Sequence, residues 1–256
     1  MSLHMNRILF FLLSLFITYQ VQGQGQFKAL LITKTAGWHH DCIVDAVPAL
    51  EKLAKKHHFE MDRHQAYYPI TTEQLEKYDL IIMANTTGNI FTPEEQAVFE
   101  AFIQSGKGFV GIHAASDTEY DWPWYRKLVG RMFHIHPAIQ TGRLKVNNPT
   151  FPGLEQWPKT LLWTDEWYEF GKEEIEGLNT LISIDESSYD PKADWGSKRG
   201  DGMGDKHPIA WYHYYDGGRS FYTAMGHLSS VYENHLFLEH LYGGIYWAAT
   251  GKGIPK

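Results

Sequence analysis

The residues of this chain that could do chemistry are mostly histidines and carboxylates, and they recur where apolar runs end. His39-His40-Asp41 follows the run from Phe27 to Thr33, and His113 closes Gly108-Phe109-Val110-Gly111-Ile112 and opens onto Ala114, Ala115, Ser116 and Asp117. His134-Ile135-His136 is an H-x-H pair, Thr164-Asp165-Glu166 ends another strand-like run, and Gly226-His227 follows Phe221-Tyr222-Thr223-Ala224. Neutral imidazoles that converge with a carboxylate suit a divalent transition metal such as Zn, Mn, Fe or Ni. The same imidazoles titrate near neutral pH and serve equally well as general acids and bases. In extended chain, alternate residues point the same way, so the rings of His134 and His136 are expected on one side. His39, His40, His134 and His136 are therefore the candidate metal ligands. His113, His227, Asp117 and Glu166 are the candidate catalytic residues.

Thirteen of the fourteen histidines lie beyond residue 24. Five of them, His57, His58, His64, His235 and His240, fall on expected helix flanks or surfaces and are set aside. Asp117 and Glu119 suit either acid–base work or plain helix capping. No G-x-S-x-G elbow is present, and no G-x-G-x-x-G or Walker lysine supports nucleotide binding. Cys42 is the only cysteine. It stands at a helix start, where the dipole could lower a thiol pKa, but the role of a small buried hydrophobe suits it better.

These residues need a frame that brings strand ends together. Phe27–Thr33, Phe59–His64, Leu80–Ala84 and Gly108–Ile112 read as strands. Between them lie an amphipathic helix from about Ile43 to His57, with Val44, Val47, Leu50 and Leu53 as its buried face, and a short helix after Thr71. A further helix starts at Thr92-Pro93-Glu94-Glu95, with a threonine cap, proline in the first turn and acids beside it. Alternating strands and helices of this length predict a parallel sheet covered on both faces, whose carboxyl ends face the ligand crevice. Beyond Asp117 the texture changes to a short helix (122–129), a histidine-bearing loop (131–137), strands near 139–146, 160–164, 180–184, 209–214 and 219–224, and a last helix over about 232–249. The stretch 185–205 reads as a long mobile loop. Neither a linker nor a repeat nor a second core is visible, so residues 25–256 are expected to form one domain.

Composition narrows the partners. The chain has 256 residues, a net charge of -7 and no lysine- or arginine-rich run, which argues against nucleic acid. Arg7, the apolar run Ile8–Ile17 and the small polar stretch Gln20–Gly25 form a signal-peptide pattern, with residues 1–24 removed from the mature protein. The run is too short for a stable membrane span. A lone thiol in an exported protein fits the bacterial periplasm, or secretion, better than a disulfide-stapled module. The aromatic last helix (Tyr232, Phe237, Tyr242, Tyr246, Trp247) offers either a homodimer surface or a cover for the sheet.

Taken together, several motifs resemble one family. They are Gly111-Ile112-His113-Ala114-Ala115-Ser116-Asp117-Thr118, Phe133-His134-Ile135-His136-Pro137, Thr164-Asp165-Glu166, His207-Pro208-Ile209-Ala210-Trp211 and Gly218-Arg219-Ser220-Phe221-Tyr222-Thr223-Ala224-Met225-Gly226-His227. In this order and spacing they resemble the trehalose-utilisation (ThuA-like) family over essentially the whole mature chain. The resemblance implies a fold similar to the class I glutamine amidotransferases: a flavodoxin-like three-layer α/β sandwich with a mainly parallel sheet and a sharp strand-to-helix turn. In those enzymes the turn carries a nucleophilic cysteine paired with a late histidine. Here His113 occupies the turn and His227 matches the late histidine. Without a thiolate no thioester can form, so glutamine hydrolysis is not expected.

The resemblance also implies sugar metabolism, acting on disaccharides such as trehalose or on keto-sugars. The expectation is an exported carbohydrate-active enzyme that isomerises or eliminatively cleaves such a sugar at a histidine-rich site, with Trp38, Trp122, Trp163 and Tyr168 binding the substrate. The alternative is a non-catalytic sugar-binding protein on a degenerate amidotransferase fold.

Overall fold

The computed structural model describes residues 26–65, 68–173 and 176–254. The signal-peptide pattern lies outside the described residues. The first half alternates strands and helices: β1 (Lys28–Ile32), α1 (Ile43–His57), β2 (Glu60–Arg63), α2 (Thr72–Leu75), β3 (Leu80–Ala84), α3 (Pro93–Gln104) and β4 (Gly108–Ile112). A 3-10 turn (His113–Asp117) and α4 (Pro123–Val129) follow. The second half is strand-rich: β5 (Phe133–Ile135), β6 (Gln140–Val146), β7 (Thr160–Asp165), β8 (Glu169–Phe170), β9 (Asn179–Asp185), β10 (Ala193–Asp194), β11 (Arg199–Gly200), β12 (Pro208–Tyr215) and β13 (Gly218–Thr223). It closes with α5 (His235–Thr250).

Nine strands form one sheet in the order β2-β1-β3-β4-β13-β12-β9-β6-β7. The five from β2 to β13 are mutually parallel. From β13 onward neighbours pair antiparallel, so only β12 and β6 run against the rest. β3 and β4 are buried at every position, which is why they read as unbroken apolar runs rather than alternating ones. Gly108 lies so close to α5 that a Cβ there would meet the Ala248 carbonyl. Its neighbour Phe109 packs on Phe99 of α3 and Tyr125 of α4. Successive residues of a strand face opposite ways. The sheet is therefore sandwiched, with α5 on one side and α3 and α4 on the other, a flavodoxin-like three-layer arrangement.

Sequence signals explain most of the boundaries. Thr92 caps α3 with a full capping box to Glu95, and Pro93 sits in the first turn. α1 ends at His58 in the left-handed region. Its buried face includes Ile43, Ala46, Val47, Leu50 and Leu53, so three of the four expected residues are buried, whereas Val44 is 70% exposed and Ile43 takes its place. The last helix starts later than expected: Tyr232 belongs to a preceding 3-10 turn, and Asn234 caps α5. α5 buries Phe237, Tyr242, Tyr246 and Trp247 and covers the sheet through β3, β4 and β13.

Two small additions complete one side of the crevice. β5 pairs with β8, and β10 pairs with β11 as a hairpin. The 185–205 stretch is thus not a featureless loop. Glu186 fastens it by accepting from the backbone N–H of Met203, from Gly204 N–H at 2.7 Å and from His207 Nδ1 at 2.7 Å.

Candidate active site

The site begins at the end of β4. His113 adopts φ 49°, a left-handed conformation uncommon for a residue with a Cβ. Strain of this kind persists only where the surroundings hold it. Here buried hydroxyls hold the turn by its carbonyls: Tyr222 donates to His113 O at 2.7 Å, Tyr125 to Ala115 O at 2.7 Å and Thr118 to Ala114 O at 3.2 Å. The ring is fixed as well. Its Nδ1 donates to Ala224 O at 2.7 Å, which leaves the lone pair of the neutral ring on Nε2. Nε2 lies 2.8 Å from the Tyr168 hydroxyl, 3.3 Å from His227 Nδ1 and 3.4 Å from Glu166 Oε2.

Glu166 is the hub. Its Oε2 is 3.2 Å from His227 Nδ1, and its Oε1 is 3.2 Å from His136 Nε2. Burial alone would raise this carboxyl. The imidazoles of His113, His227 and His136 around it outweigh burial and hold it well below the usual carboxylate range. Burial works the other way on His227, lowering it, but the hydrogen bond and charge of Glu166 leave its pKa raised. His40 packs edge-on against His113 and His227, with ring centroids 5.0 and 5.5 Å away. Burial, then the neighbouring imidazoles, push its pKa down to about 3. Its Nδ1 is buried without a hydrogen-bond partner among the described residues.

Among the described residues, His40, His113, Glu166 and His227 each offer one ligand atom, and these atoms all lie within 4.8 Å of one another. Three imidazoles and a carboxylate fit a Zn, Mn, Fe or Ni ion by ligand type. The Nδ1–H of His113 bonded to a backbone carbonyl is the outer support that metal-bound imidazoles characteristically have. This set differs from the four ligands expected. Of those four only His40 joins it. His39 turns out to Thr35 Oγ1 at 3.4 Å. His134 donates from Nε2 to Arg199 O at 3.1 Å, while His136 reaches Glu166. The pairing of β5 with β8 is irregular between Phe133 and Ile135. The strand ends there, so strict alternation does not carry the two rings to one side.

A pocket of about 510 Å³ opens above this cluster, lined by Trp38, His40, Asp117, Phe133, His136, Glu166, Tyr168, Trp195 and His227. Asp117 accepts from the Tyr120 hydroxyl at 2.6 Å, and burial pushes its carboxyl up despite that bond. Glu119, its neighbour, is structural. It accepts from Ile90 N, Phe91 N and Gln96 Nε2 at 2.6, 2.9 and 2.8 Å. His207 supports the wall, with Nε2 donating to Tyr168 O at 2.8 Å.

Two of the expected sugar-stacking rings are elsewhere. Trp122 is packed among Phe91, Phe99, Trp124 and Tyr125, its Nε1 donating to Glu100 at 2.9 Å. Trp163 faces inward from β7 and stacks on Trp157 at 5.9 Å. Trp195, which sequence reasoning passed over, lines the pocket instead. Among the histidines set aside as superficial, His240 is wholly buried and His64 nearly so. Cys42 is buried, directs its thiol to Gly226 O at 3.3 Å, and is pushed up to about 12 by burial. A thiolate nucleophile is thus not on offer.

The family model for trehalose utilisation (ThuA) matches residues 28–248. The chain belongs to the ThuA family. No curated protein sequence gives a significant match. Among solved structures, a ThuA-like protein from Bacteroides uniformis is 25% identical with a TM-score of 0.71, the match covering 88% of this chain and 92% of that one. A ThuA-like protein from Parabacteroides merdae is 19% identical with a TM-score of 0.68, covering 90% and 92%. A β-galactosidase from Bacillus circulans shares the fold at 13% identity and a TM-score of 0.56, over 91% of this chain but 32% of its own length. Three of the motifs that carry the ThuA resemblance supply cluster residues, His113 from the turn, Glu166 after β7 and His227 after β13, while His40 comes from the loop after β1, outside those motifs.

Proposed function

We propose that this ThuA-family protein is an enzyme that enolises a keto-sugar, a disaccharide oxidised at one ring, and so isomerises it or cleaves its glycosidic bond by elimination. One observation carries the reading. His40, His113, Glu166 and His227 converge at the base of an aromatic pocket that a separate carboxylate, Asp117, also lines.

A ketone acidifies the adjacent C–H, so the reaction needs a base and a stabiliser for the enolate oxygen. Asp117 is the base in this reading, since a partly desolvated carboxylate with a raised pKa is a stronger proton acceptor than an exposed one. It takes the proton, the C–H electron pair becomes the C=C bond, and the carbonyl pair moves onto oxygen. A divalent ion on the three imidazoles and Glu166 would supply positive charge for that oxygen. Tyr168, whose pKa burial raises well above the usual phenol value, keeps its proton and donates a hydrogen bond there. Return of the proton to the former carbonyl carbon, with the neighbouring hydroxyl passing its own proton to the enolate oxygen and becoming the new carbonyl, gives isomerisation. Alternatively, collapse of the enolate expels the glycosidic oxygen, which takes a proton from His136 on the pocket wall. Paired-carboxylate hydrolysis fits less well, because Glu166 is occupied by three imidazoles.

The signal-peptide pattern supports export to the periplasm or the medium as part of this reading; sequencing the N-terminus of the exported protein checks that. The chemistry is tested by incubating the untagged protein, supplied with Zn, Mn, Fe or Ni, with an oxidised disaccharide in D2O. Deuterium is expected beside the ketone, with incorporation lost in Asp117→Asn and His113→Ala. Binding without exchange, isomer or cleavage would favour the sugar-binding alternative. Neither binding nor exchange would overturn both.

A further inference from the structure

Two indoles at the pocket mouth have no role at the centre. Trp38 is 73% exposed and Trp195 is 48% exposed, yet both line the same pocket as the histidine cluster. Single exposed aromatics are ordinary. Two of them in one concave site, beside polar groups able to bond hydroxyls, are what a small-molecule pocket uses to take a ligand with flat apolar faces.

Trp195 is also held in place. It sits in the β10–β11 hairpin, where its N–H donates to Lys198 O at 2.9 Å and Asp194 accepts from Gly196 N–H at 2.8 Å. His134 donates to Arg199 O at 3.1 Å and so pins the hairpin to β5. Gly200 is packed so closely that a Cβ there would run into Glu169 and Ile135. The ring itself rests edge-on against His136 at 4.8 Å. From there rings follow one another inward, His136 to Tyr168 at 6.0 Å and Tyr168 to His113 at 4.3 Å. An anchored ring loses little freedom when a ligand covers it, which favours binding.

We propose that Trp38 and Trp195 form an outer sugar subsite, so that the ligand is at least a disaccharide, with one ring at the histidine centre and the next stacked on these indoles. This rests on the keto-sugar reading above and adds to it the place of the second ring and the side chains that hold it. It also gives His134 a task, that of a hairpin anchor rather than a ligand.

The test compares oxidised trehalose with the matching oxidised glucose, using the metal-supplied full chain and the variants Trp38→Ala, Trp195→Ala, Trp195→Phe and His134→Ala. The alanine variants at Trp38 and Trp195 are expected to raise KM for the oxidised disaccharide by about tenfold with kcat nearly unchanged, the loss of one ring contact. KM for the oxidised monosaccharide stays as in the wild type, Trp195→Phe recovers most of the loss, and His134→Ala shows a smaller effect in the same direction. Equal KM values for the two sugars in the wild type, or indole variants that affect both alike, would overturn the outer subsite while leaving the centre intact. An aryl monoglycoside that performs as well as the disaccharide would overturn the assignment of a second sugar. A wild type that binds neither oxidised sugar would remove the keto-sugar reading and the subsite with it.

Discussion

Asp165 controls His227 through the backbone. Its Oδ1 accepts from His227 N–H at 3.2 Å and Leu228 N–H at 3.3 Å, and its Oδ2 accepts from Gly226 N–H at 2.9 Å. A fourth N–H, that of the next residue, Glu166, reaches Oδ1 at 3.0 Å. One buried carboxylate thus sets the spacing between two members of the cluster, Glu166 beside it and His227 across from it. Gly226 allows the approach, with φ at 122° and the Tyr232 hydroxyl 2.9 Å from where a Cβ would stand.

Asp165→Asn is therefore expected to loosen the centre more than the fold. The amide would set its NH2 against N–H groups that need an acceptor, at a cost of about 1–3 kcal/mol. Zinc affinity, read by competition with a chromophoric chelator, is expected to fall by about tenfold or more. Unchanged affinity would show that Glu166 and His227 are held by other means.

Metal retention separates the ligands from the bystanders. The protein purified without tag or chelator is expected to carry a transition metal by elemental analysis, lost in His113→Ala and Glu166→Gln and kept in His39→Ala and His134→Ala. Affinity is expected to fall as pH is lowered, because ligands must be deprotonated and the raised pKa of His227 lets protons compete early. Retention in His113→Ala, or loss in His134→Ala, would contradict the ligand set.

His240 links stability to pH away from the site. It lies wholly buried between Phe221 and Trp157, neither ring nitrogen has a hydrogen-bond partner among the described residues, and burial lowers its pKa to about 3. Between that value and the ordinary one near 6.5, the unfolded chain binds a proton that the folded chain refuses. Stability is full above pH 6.5 and is lost as pH falls towards 3, by about 1.4 kcal/mol per pH unit from this group. His240→Leu is expected to melt no lower at neutral pH and to show a shallower acid decline in denaturant titrations. An unchanged slope would assign the decline to other groups.

Gly243→Ala gives an opposite sign to the usual one. Alanine normally favours a helix interior over glycine by about 1 kcal/mol. In α5, however, a Cβ at 243 would lie 1.9 Å from Pro152 O and 2.6 Å from Gly153 N. Backbone cannot yield as a flexible side chain can, so the variant is expected to lose about 1–3 kcal/mol or more, seen as a lower thermal midpoint. A raised midpoint would mean that the 152–153 segment moves freely.

The parallel half of the fold was legible because its signals are local. Thr92 and Pro93 mark a helix start, and uninterrupted apolar runs mark strands buried on both faces. His113, Glu166 and His227 were legible as polar residues at the ends of such runs, and as family motifs. The H-x-H pair gives no reliable sign of which rings converge, because alternation predicts a side only while a strand continues, and β5 stops at Ile135. The packing of Trp122 and Trp163 away from the pocket is not legible in the sequence, because an indole reads the same whether it is packed or waiting for a ligand. Trp195 went unnoticed for a related reason. The backbone hydrogen bonds that shape its hairpin leave no mark in a run of Asp, Gly, Ser and Lys.

His40 and His227 stand 187 residues apart in the chain (227 minus 40), yet their rings lie 5.5 Å apart, centre to centre. A metal ion held by both would act on the folding equilibrium as a cross-link does, tying the loop after the first strand to the loop after the last one. Such a link becomes available only once β1, β4, β7 and β13 have all taken their places. Occupancy then adds RT ln(1 + [M]/Kd) to stability. Heat resistance in this protein would thereby report how much metal its surroundings supply, and a metal-starved population would be both idle and the first to unfold.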